Sequence, residues 1–394
     1  MLTDFEFFYT IAADNRQKKV EQYFNSLTQL QLIVLSIFAL ALLAQVIYYF
    51  VVYLRPSLNK PPQVSAKQNP ISVIICARNE CDNLRQFLPK ILEQDYPDFE
   101  VIVVNDCSAD DTLLLLGEME LKYKNLRHTN IEIDRKFAHG KKLAITIGLK
   151  SAKNEYVVLT DADCYPVGNQ WLADIEASYS DKTEFVLGYG GYETRKGLLN
   201  KLIRYDTLSI AMQYLGLAKI HHPYMGVGRN ISYRRSTFFG GSGFQSHYHL
   251  TSGDDDLFVN EFATKNNTCI LTTKSSITRS IPCERFADWV KQKKRHLSTW
   301  THYRAGTKFC LSIELLSRFL FYVALAVTIC PLGLYVEAAS AYVLRLIVQI
   351  VVYKLNMRKF EERGFLFLIP IFDVVLPVFH LAFNILNLRD KRCQ

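Results

Sequence analysis

The chain has 394 residues, with 46 Lys and Arg against 38 Asp and Glu for a net charge of +8, and 49% of it is hydrophobic. A mean hydropathy of +0.03 is too apolar for an ordinary soluble enzyme and too polar for a chain made only of membrane spans, so the average hides a division. The basic excess gathers beside apolar runs rather than in an aromatic-interleaved patch, which argues against nucleic acid. The nine cysteines show no C-x-x-C pair or Cys/His ligand spacing, which argues against a zinc site and fits a reducing compartment.

Residues 1–29 read as an N-terminal amphipathic segment, and the run from Leu30 to Leu54 carries no charge. That run exceeds the roughly 20 residues needed to cross a bilayer core. The mixed segment before it and the aromatics after it mark a retained anchor rather than a cleaved signal. Residues 55–70, with Pro61-Pro62 inside, form a polar linker that cannot continue a helix. The β-rich run 71–77 follows, then helical spacing through Leu84, Phe87, Leu88, Ile91 and Leu92, then a strand over 99–104. A carboxylate-rich turn over 105–112 leads to a helix through Leu116, a strand over 130–133, a helix over 141–150 and a buried strand over 155–160. Such alternation with near-continuous Val and Ile strands predicts a mostly parallel α/β sheet covered on both faces, in a catalytic domain over 71–310.

Residues 311–394 read as a membrane region with about three further spans, near 315–334, 338–355 and 365–386, interrupted by Arg345, Asp373 and His380. These ionisable groups mark either a functional path or residues that pair with one another or sit near the interface. Arg55, Lys60 and Lys67 after the first span, and Lys291, Lys293, Lys294, Arg295, Arg304, Lys308 and Arg318 before the second, predict a cytoplasmic catalytic domain. Four full spans would put Arg389, Lys391 and Arg392 outside, against that rule, so the last span is expected to be re-entrant or tilted.

The strand over 155–160 ends in Asp161-Ala162-Asp163. Acids at i and i+2 lie on one side of an extended chain, where they can share a hard divalent cation and, through it, a diphosphate. A solvated turn can carry the same triplet. Three strand ends carry polar clusters, however: Arg78-Asn79-Glu80, Asp106 and Asp161–Asp163. Ligands of parallel sheets bind beyond those ends.

With these motifs, residues 70 to 305 resemble the inverting family-2 type glycosyltransferases, membrane-associated enzymes with the A-type nucleotide-sugar fold. The resemblance implies a nucleotide-sugar site at Ala77, Arg78 and Glu80, at Asp106, at Lys141 in His139-Gly-Lys-Lys-Leu-Ala144, and at Asp161 and Ala162. Glu80 and Asp110-Asp111 also suit helix caps, and Lys142 suits a solvated face. Asp161 and Asp163 match the family's metal motif, implying Mg2+ or Mn2+. Gly226, Gly228 and Asn230, in Met225-Gly-Val-Gly-Arg-Asn230, match an acceptor-side segment. Ser252-Gly-Asp-Asp-Asp256 takes the place of the catalytic base, with Asp255 expected by register and Asp254 the alternative.

Gln292 and Arg295 match the Gln-x-x-Arg-Trp element of processive members. His296 replaces the tryptophan, and Trp300 lies one helical turn on, so both are candidate acceptor contacts. Arg295 suits either a diphosphate or a basic helix on anionic lipid. The expected protein is an integral membrane glycosyltransferase of bacterial inner-membrane type with its catalytic domain in the cytoplasm. Its expected partners are a nucleotide-sugar donor, a lipid-linked or glycan acceptor and membrane lipid. A processive polysaccharide synthase, a nucleotidyltransferase and a non-catalytic membrane interaction protein are the alternatives.

Overall fold

The computed structural model describes residues 22–23, 25–62, 68–132 and 140–392. The expected amphipathic segment before residue 22, Lys67, Ile133 and His139 lie outside these residues, as do the side chains of His380, Arg389, Lys391 and Arg392. Two compact units emerge, Met1–Tyr48 with Leu311–Gln349, and Tyr49–Cys310 with Ile350–Gln394.

Among the described residues, three helices are long and apolar enough to cross a membrane: Gln29–Leu58, Ala305–Ile329 and Tyr335–Lys359. Within the first unit, Phe38 and Ala41 pack on Phe321 and Ala324, with the two phenyl centroids 5.0 Å apart. Leu40, Leu43, Leu316 and Phe319 are exposed, as befits helices whose outer surface meets lipid. Arg345 is buried and spends its guanidinium on Gln45 Oε1 (2.9 Å) and the Tyr322 hydroxyl (3.1 Å). Pairing, and not a path, accounts for this interruption of the third helix.

The segment expected as a re-entrant or tilted fourth span lies at 366–392. It becomes a short 3-10 turn, Leu366–Leu368, and the helix Ile369–Arg392, broken in sequence by Pro377. Phe372, Phe379 and Phe383 of this helix face the interior of the second unit, while Ile371, Val374 and Val378 are exposed. Phe379 and Phe383 meet Trp289 at 6.4 and 5.9 Å, and Phe372 meets Tyr205 at 5.4 Å.

Among its described residues the second unit holds ten strands: β1 Ile71–Ala77, β2 Phe99–Asp106, β3 Leu126–Ile131, β4 Tyr156–Asp161, β5 Cys164–Pro166, β6 Phe185–Leu187, β7 Gly190–Tyr192, β8 Ile231–Arg234, β9 Thr268–Ile270 and β10 Thr278–Ser280. Seven form a sheet in the order β3-β2-β1-β4-β8-β6-β9, in which only β8 runs against its neighbours. Ile71, Val73 and Ile75 point to one face, against Leu84, Leu88 and Ile91 of the helix Cys81–Leu92. Ile74 points to the other, where Gly148 of the helix Lys141–Ser151 lies against it. Burial of each such side chain contributes about 1.5–3 kcal/mol, which is why the central strands read as unbroken Val and Ile.

β3 begins four residues before the expected strand, because Leu126 and Ile131 are its buried ends. A second sheet, β5-β10-β7, escaped the sequence because three-residue strands leave no periodicity to read.

The helix Leu198–Lys219 crosses a π-helical turn, Tyr49–Tyr53, at Gly216, where a β-carbon would sit 2.2 Å from the Val52 carbonyl oxygen. Backbone cannot yield there, so Gly216→Ala is expected to destabilise the protein by about 1–3 kcal/mol. Gly117→Ala, in a helix where nothing approaches, is expected to be neutral or to gain up to about 1 kcal/mol. Thermal midpoints of the two variants in detergent check the contrast.

Candidate active site

The ends of β1, β2 and β4 lie side by side, since Cys76 pairs with both Val104 and Asp161 and Ala77 pairs with Asn105. Just past β1 and β2 the chain turns through left-handed residues, Asn79 (φ 57°) and Cys107 (φ 55°). Asn79 ties the turns together, donating its N–H to Ser108 Oγ (2.9 Å) and accepting the Ala109 N–H (2.7 Å). Non-glycine residues in this region cost on the order of 1 kcal/mol or more, and the interlocking turns over-determine them.

Ala77 is buried and Arg78 exposed. Glu80 precedes the helix Cys81–Leu92 but makes no capping bond, and its carboxylate instead accepts from Asn83 Nδ2 (2.6 Å). Burial raises its pKa, Asn83 opposes that, and Asp163, Asp161 and Asp110 add to the rise, which puts Glu80 in the field of the β4 acids. Asp110 takes the capping role, accepting the N–H groups of Cys81 and Thr112 (both 3.1 Å), whereas Asp111 makes no such bond. Asp106 ends β2 at 5% exposure, and its Oδ1 accepts no hydrogen bond among the described residues.

Lys141 joins the acids. Its Nζ lies 2.7 Å from Asp161 Oδ1 and 3.2 Å from Asp254 Oδ2. Desolvation works against its charge, but Asp161, Asp254 and Asp255 outweigh it and raise its pKa well above the usual lysine range. Asp161 and Asp254 line one cleft with Lys141, Gly228, Thr160 and Cys76. Asp255 Oδ2 accepts the Gly228 N–H (2.7 Å) and Oδ1 accepts the Asp256 N–H (2.7 Å). Gly228 lies close to both groups, since a β-carbon there would stand 3.1 Å from Lys141 Nζ and 3.5 Å from Asp255 Oδ2.

The two acids diverge in protonation. Burial pushes the Asp255 carboxyl up, and Asp254 and Asp256 add to it, giving a pKa of about 7. Burial acts the same way on Asp254, but the Lys141 ammonium reverses it and holds that pKa below the usual range. Asp256, absent from the expected site, is buried and accepts from Thr299 Oγ1 (2.5 Å) and the Tyr303 hydroxyl (2.7 Å). It fastens the acidic run to the segment that leads into the second long helix.

Asp161 and Asp163 present carboxylate oxygens within 4.8 Å of each other and of Cys164 Sγ. Burial and the adjacent acids raise the Cys164 pKa well above the usual thiol range, so the usable donors are two hard carboxylates, a set that fits Mg2+ or Mn2+. Asp163 Oδ2 accepts from Ser280 Oγ (2.7 Å). Arg229, which sequence reasoning passed over inside the Gly-x-Gly-Arg-Asn segment, lies over the Tyr192 ring at 4.3 Å and feels Asp163 and Asp161. Gln292 donates to the Tyr192 hydroxyl (3.2 Å). Arg295 is exposed on the same helix, Phe286–Leu297. His296 is exposed at its surface, and the protein packed around it together with the charges of Lys293, Arg295, Arg229 and Lys141 lowers its pKa. Trp300 is half-buried, edge-on to Tyr303 at 6.2 Å.

Four expectations change. Lys142 is not on a solvated face. It is buried, and its Nζ donates to the carbonyls of His247, Leu250 (2.9 Å) and Ser252 (2.8 Å), stitching the loop before Asp254. Asn230 is 2% exposed, with its amide consumed by Trp171 Nε1 (3.1 Å) and the carbonyls of Tyr189 (2.9 Å) and Ser276 (2.7 Å), so it packs the interior instead of meeting an acceptor. Gly226 is likewise enclosed by Ile231, Leu187 and Val259. Ala162 turns its methyl into the core and offers only backbone to a ligand.

A carboxyl whose pKa is raised on folding contributes stability that is present at low pH and lost as pH rises through its folded value. For Asp255 that window runs from about 4 to about 7. Asp255→Asn is therefore expected to melt above the wild type at pH 8 and to lose that advantage toward pH 4, as read by thermal unfolding across the pH range.

The profile of Glycosyl transferase family 2 matches residues 72–238. Over 120 residues the chain is 32% identical to the poly-beta-1,6-N-acetyl-D-glucosamine synthase of Staphylococcus epidermidis, covering 30% of this chain and 28% of that protein. Over 124 residues it is 32% identical to the enzyme of the same name from Staphylococcus aureus strain MSSA476, covering 31% and 29%. The match thus spans under a third of these relatives' length. A mannosyltransferase from Pyrobaculum calidifontis, solved in complex with GDP-Man and Mn2+, superposes with a TM-score of 0.60 at 19% identity, covering 92% of this chain and 99% of that one, and so shares the fold. Residues 72–238 thus match the glycosyl transferase family 2 profile on a fold shared with that mannosyltransferase, with acids gathered at the strand ends.

Proposed function

We propose that the protein is a metal-dependent, inverting hexosyltransferase that moves a sugar from a nucleoside-diphosphate donor to a lipid-linked or glycan acceptor at the cytoplasmic face of a bacterial inner membrane. The observation that carries this reading is the Lys141 bridge between Asp161 and Asp254 in one cleft, whose Gly228 is bonded by the adjacent Asp255. In the proposed displacement the acceptor oxygen bonds to the anomeric carbon, the bond from that carbon to the diphosphate oxygen breaks, and the acceptor proton passes to Asp255. A base with a pKa near 7 is matched to that task at neutral pH. Asp161 and Asp163 would hold Mg2+ or Mn2+, whose chemistry when bound is to neutralise charge on the departing diphosphate. Lys141 and Arg295 supply further positive charge for the leaving group, while Glu80, Asp106 and the Ala77-Arg78 strand end border the nucleoside. Trp300 and His296 flank the acceptor side.

Three long apolar helices, and basic residues beside them, support a membrane acceptor. The names of the curated relatives favour a second reading, a processive synthase extending an N-acetylglucosamine polymer. His296 in place of the family's tryptophan supports the single transfer instead.

Purified protein in nanodiscs with labelled UDP-GlcNAc or GDP-Man and a membrane-lipid extract provides the test, and the product decides between one added sugar and a ladder of lengths. Asp255→Asn is expected to lower kcat by about 10²–10⁴ while donor still raises the melting temperature. Asp163→Ala is expected to abolish the Mn2+-dependent part of that donor shift. Wild-type kcat should rise with pH through about 7 as Asp255 ionises. Turnover unchanged in Asp255→Asn removes the assignment of the base.

A further inference from the structure

Strand β10 shows two faces with different partners. Thr278 and Ser280, at i and i+2, point to the active site, where Thr278 Oγ1 donates to the Arg229 carbonyl (3.0 Å) and Ser280 Oγ donates to Asp163 Oδ2 (2.7 Å). Arg279 points the other way, into the interior, and meets Glu362. Glu362 is 3% exposed and accepts from three groups: Arg279, the Tyr189 hydroxyl (2.9 Å) and Arg204 Nε (2.8 Å), with Arg204 Nη2 a further 2.6 Å contact. Arg279 Nη2 also donates to the Phe360 carbonyl (2.8 Å).

Glu362 arrives by an unusual cap. The helix Tyr335–Lys359 ends with the Glu362 N–H bonded to the Met357 carbonyl (2.8 Å) and with Glu361 left-handed at φ 56°. That position is ordinarily glycine, and a glutamate there carries strain. A strained cap that sends a carboxylate among two buried guanidiniums is hard to explain as stability alone, because desolvation of such clusters offsets their attraction. The residue lies well beyond the region matched by the family.

We propose that Glu362 is a positioning residue for Asp163. By clamping Arg279 it fixes the register and tilt of β10, and β10 in turn holds the carboxylate through Ser280. The inference rests on Asp163 being a metal ligand. Outer partners of metal ligands commonly change affinity by about 10–100-fold when lost.

The test is Mn2+ alone, titrated into the purified full-length chain and followed by electron paramagnetic resonance and by the Mn2+-induced shift in melting temperature. Ser280→Ala and Glu362→Gln are each expected to weaken Mn2+ binding by about tenfold. The double variant should weaken it no further, since both act through one carboxylate. Because Glu362→Gln can unfold the chain, Tyr189→Phe, which removes one bond to Glu362, is the gentler probe, with an expected loss of about two- to threefold. Additive losses in the double variant overturn the proposal. So does wild-type affinity in both Tyr189→Phe and a folded Glu362→Gln. Failure of the wild-type chain to bind Mn2+ overturns the metal-site reading and this proposal together, whereas wild-type binding that the Glu362 and Tyr189 variants share overturns the role of Glu362 alone.

Discussion

Crowded negative charge is the constraint around which the catalytic unit is built. Two unit charges 4 Å apart repel by about 1 kcal/mol in water and about 4 kcal/mol in surroundings like a protein surface. Asp161, Asp163, Asp254, Asp255 and Asp256 would push their loops apart without counter-charges. The fold answers each acid differently. Lys141 reaches Asp161 and Asp254 at once, Asp256 is met by two hydroxyls, Asp163 by Ser280, and Asp255 by backbone N–H groups alone. Asp163, Asp255 and Asp256 are met by no bonded cation and all three are raised, and Asp255, which lacks even a side-chain hydroxyl, rises to about 7.

That difference separates two neighbours which the sequence leaves nearly interchangeable. A carboxylate pinned beside an ammonium is a poor proton acceptor, because accepting the proton forfeits the ion pair. One held by neutral donors in a buried place gains by protonation. Pairs of acids whose environments push them apart in this way divide a reaction between them. In the proposed mechanism the same logic weighs against transfer to phosphorus, since a nucleotidyltransferase would have no use for Asp255 as a late base.

Strand-end acids were legible in the sequence because parallel strands must end somewhere and few residues other than ligands favour such a place. Adjacent lysines were not. Residues 141 and 142 are about 100° apart around a helix, so one meets the cleft and the other the inner side of the loop 247–252, whose carbonyls leave no trace in sequence. Asn230 was misread for a related reason, as a polar residue beside glycines suits an interior amide bridging three segments as well as a ligand contact. Ser280 and Glu362 gave no signal, the first on a three-residue strand and the second in a helix cap distant from every motif.

The last helix shows the same limit on a larger scale. Hydropathy reports that a segment avoids water but not whether lipid or protein takes its place. Trp289, Tyr205 and their ring partners take that place for Phe372, Phe379 and Phe383. Counting only the crossings found among the described residues removes the difficulty with sidedness. After an odd number of spans, three among the described residues, a chain whose catalytic domain follows the first span returns to that domain's side. In the proposed orientation Arg389, Lys391 and Arg392 then join Arg55, Lys60 and Arg363 in the cytoplasm, as the positive-inside rule favours for the C-terminal flank.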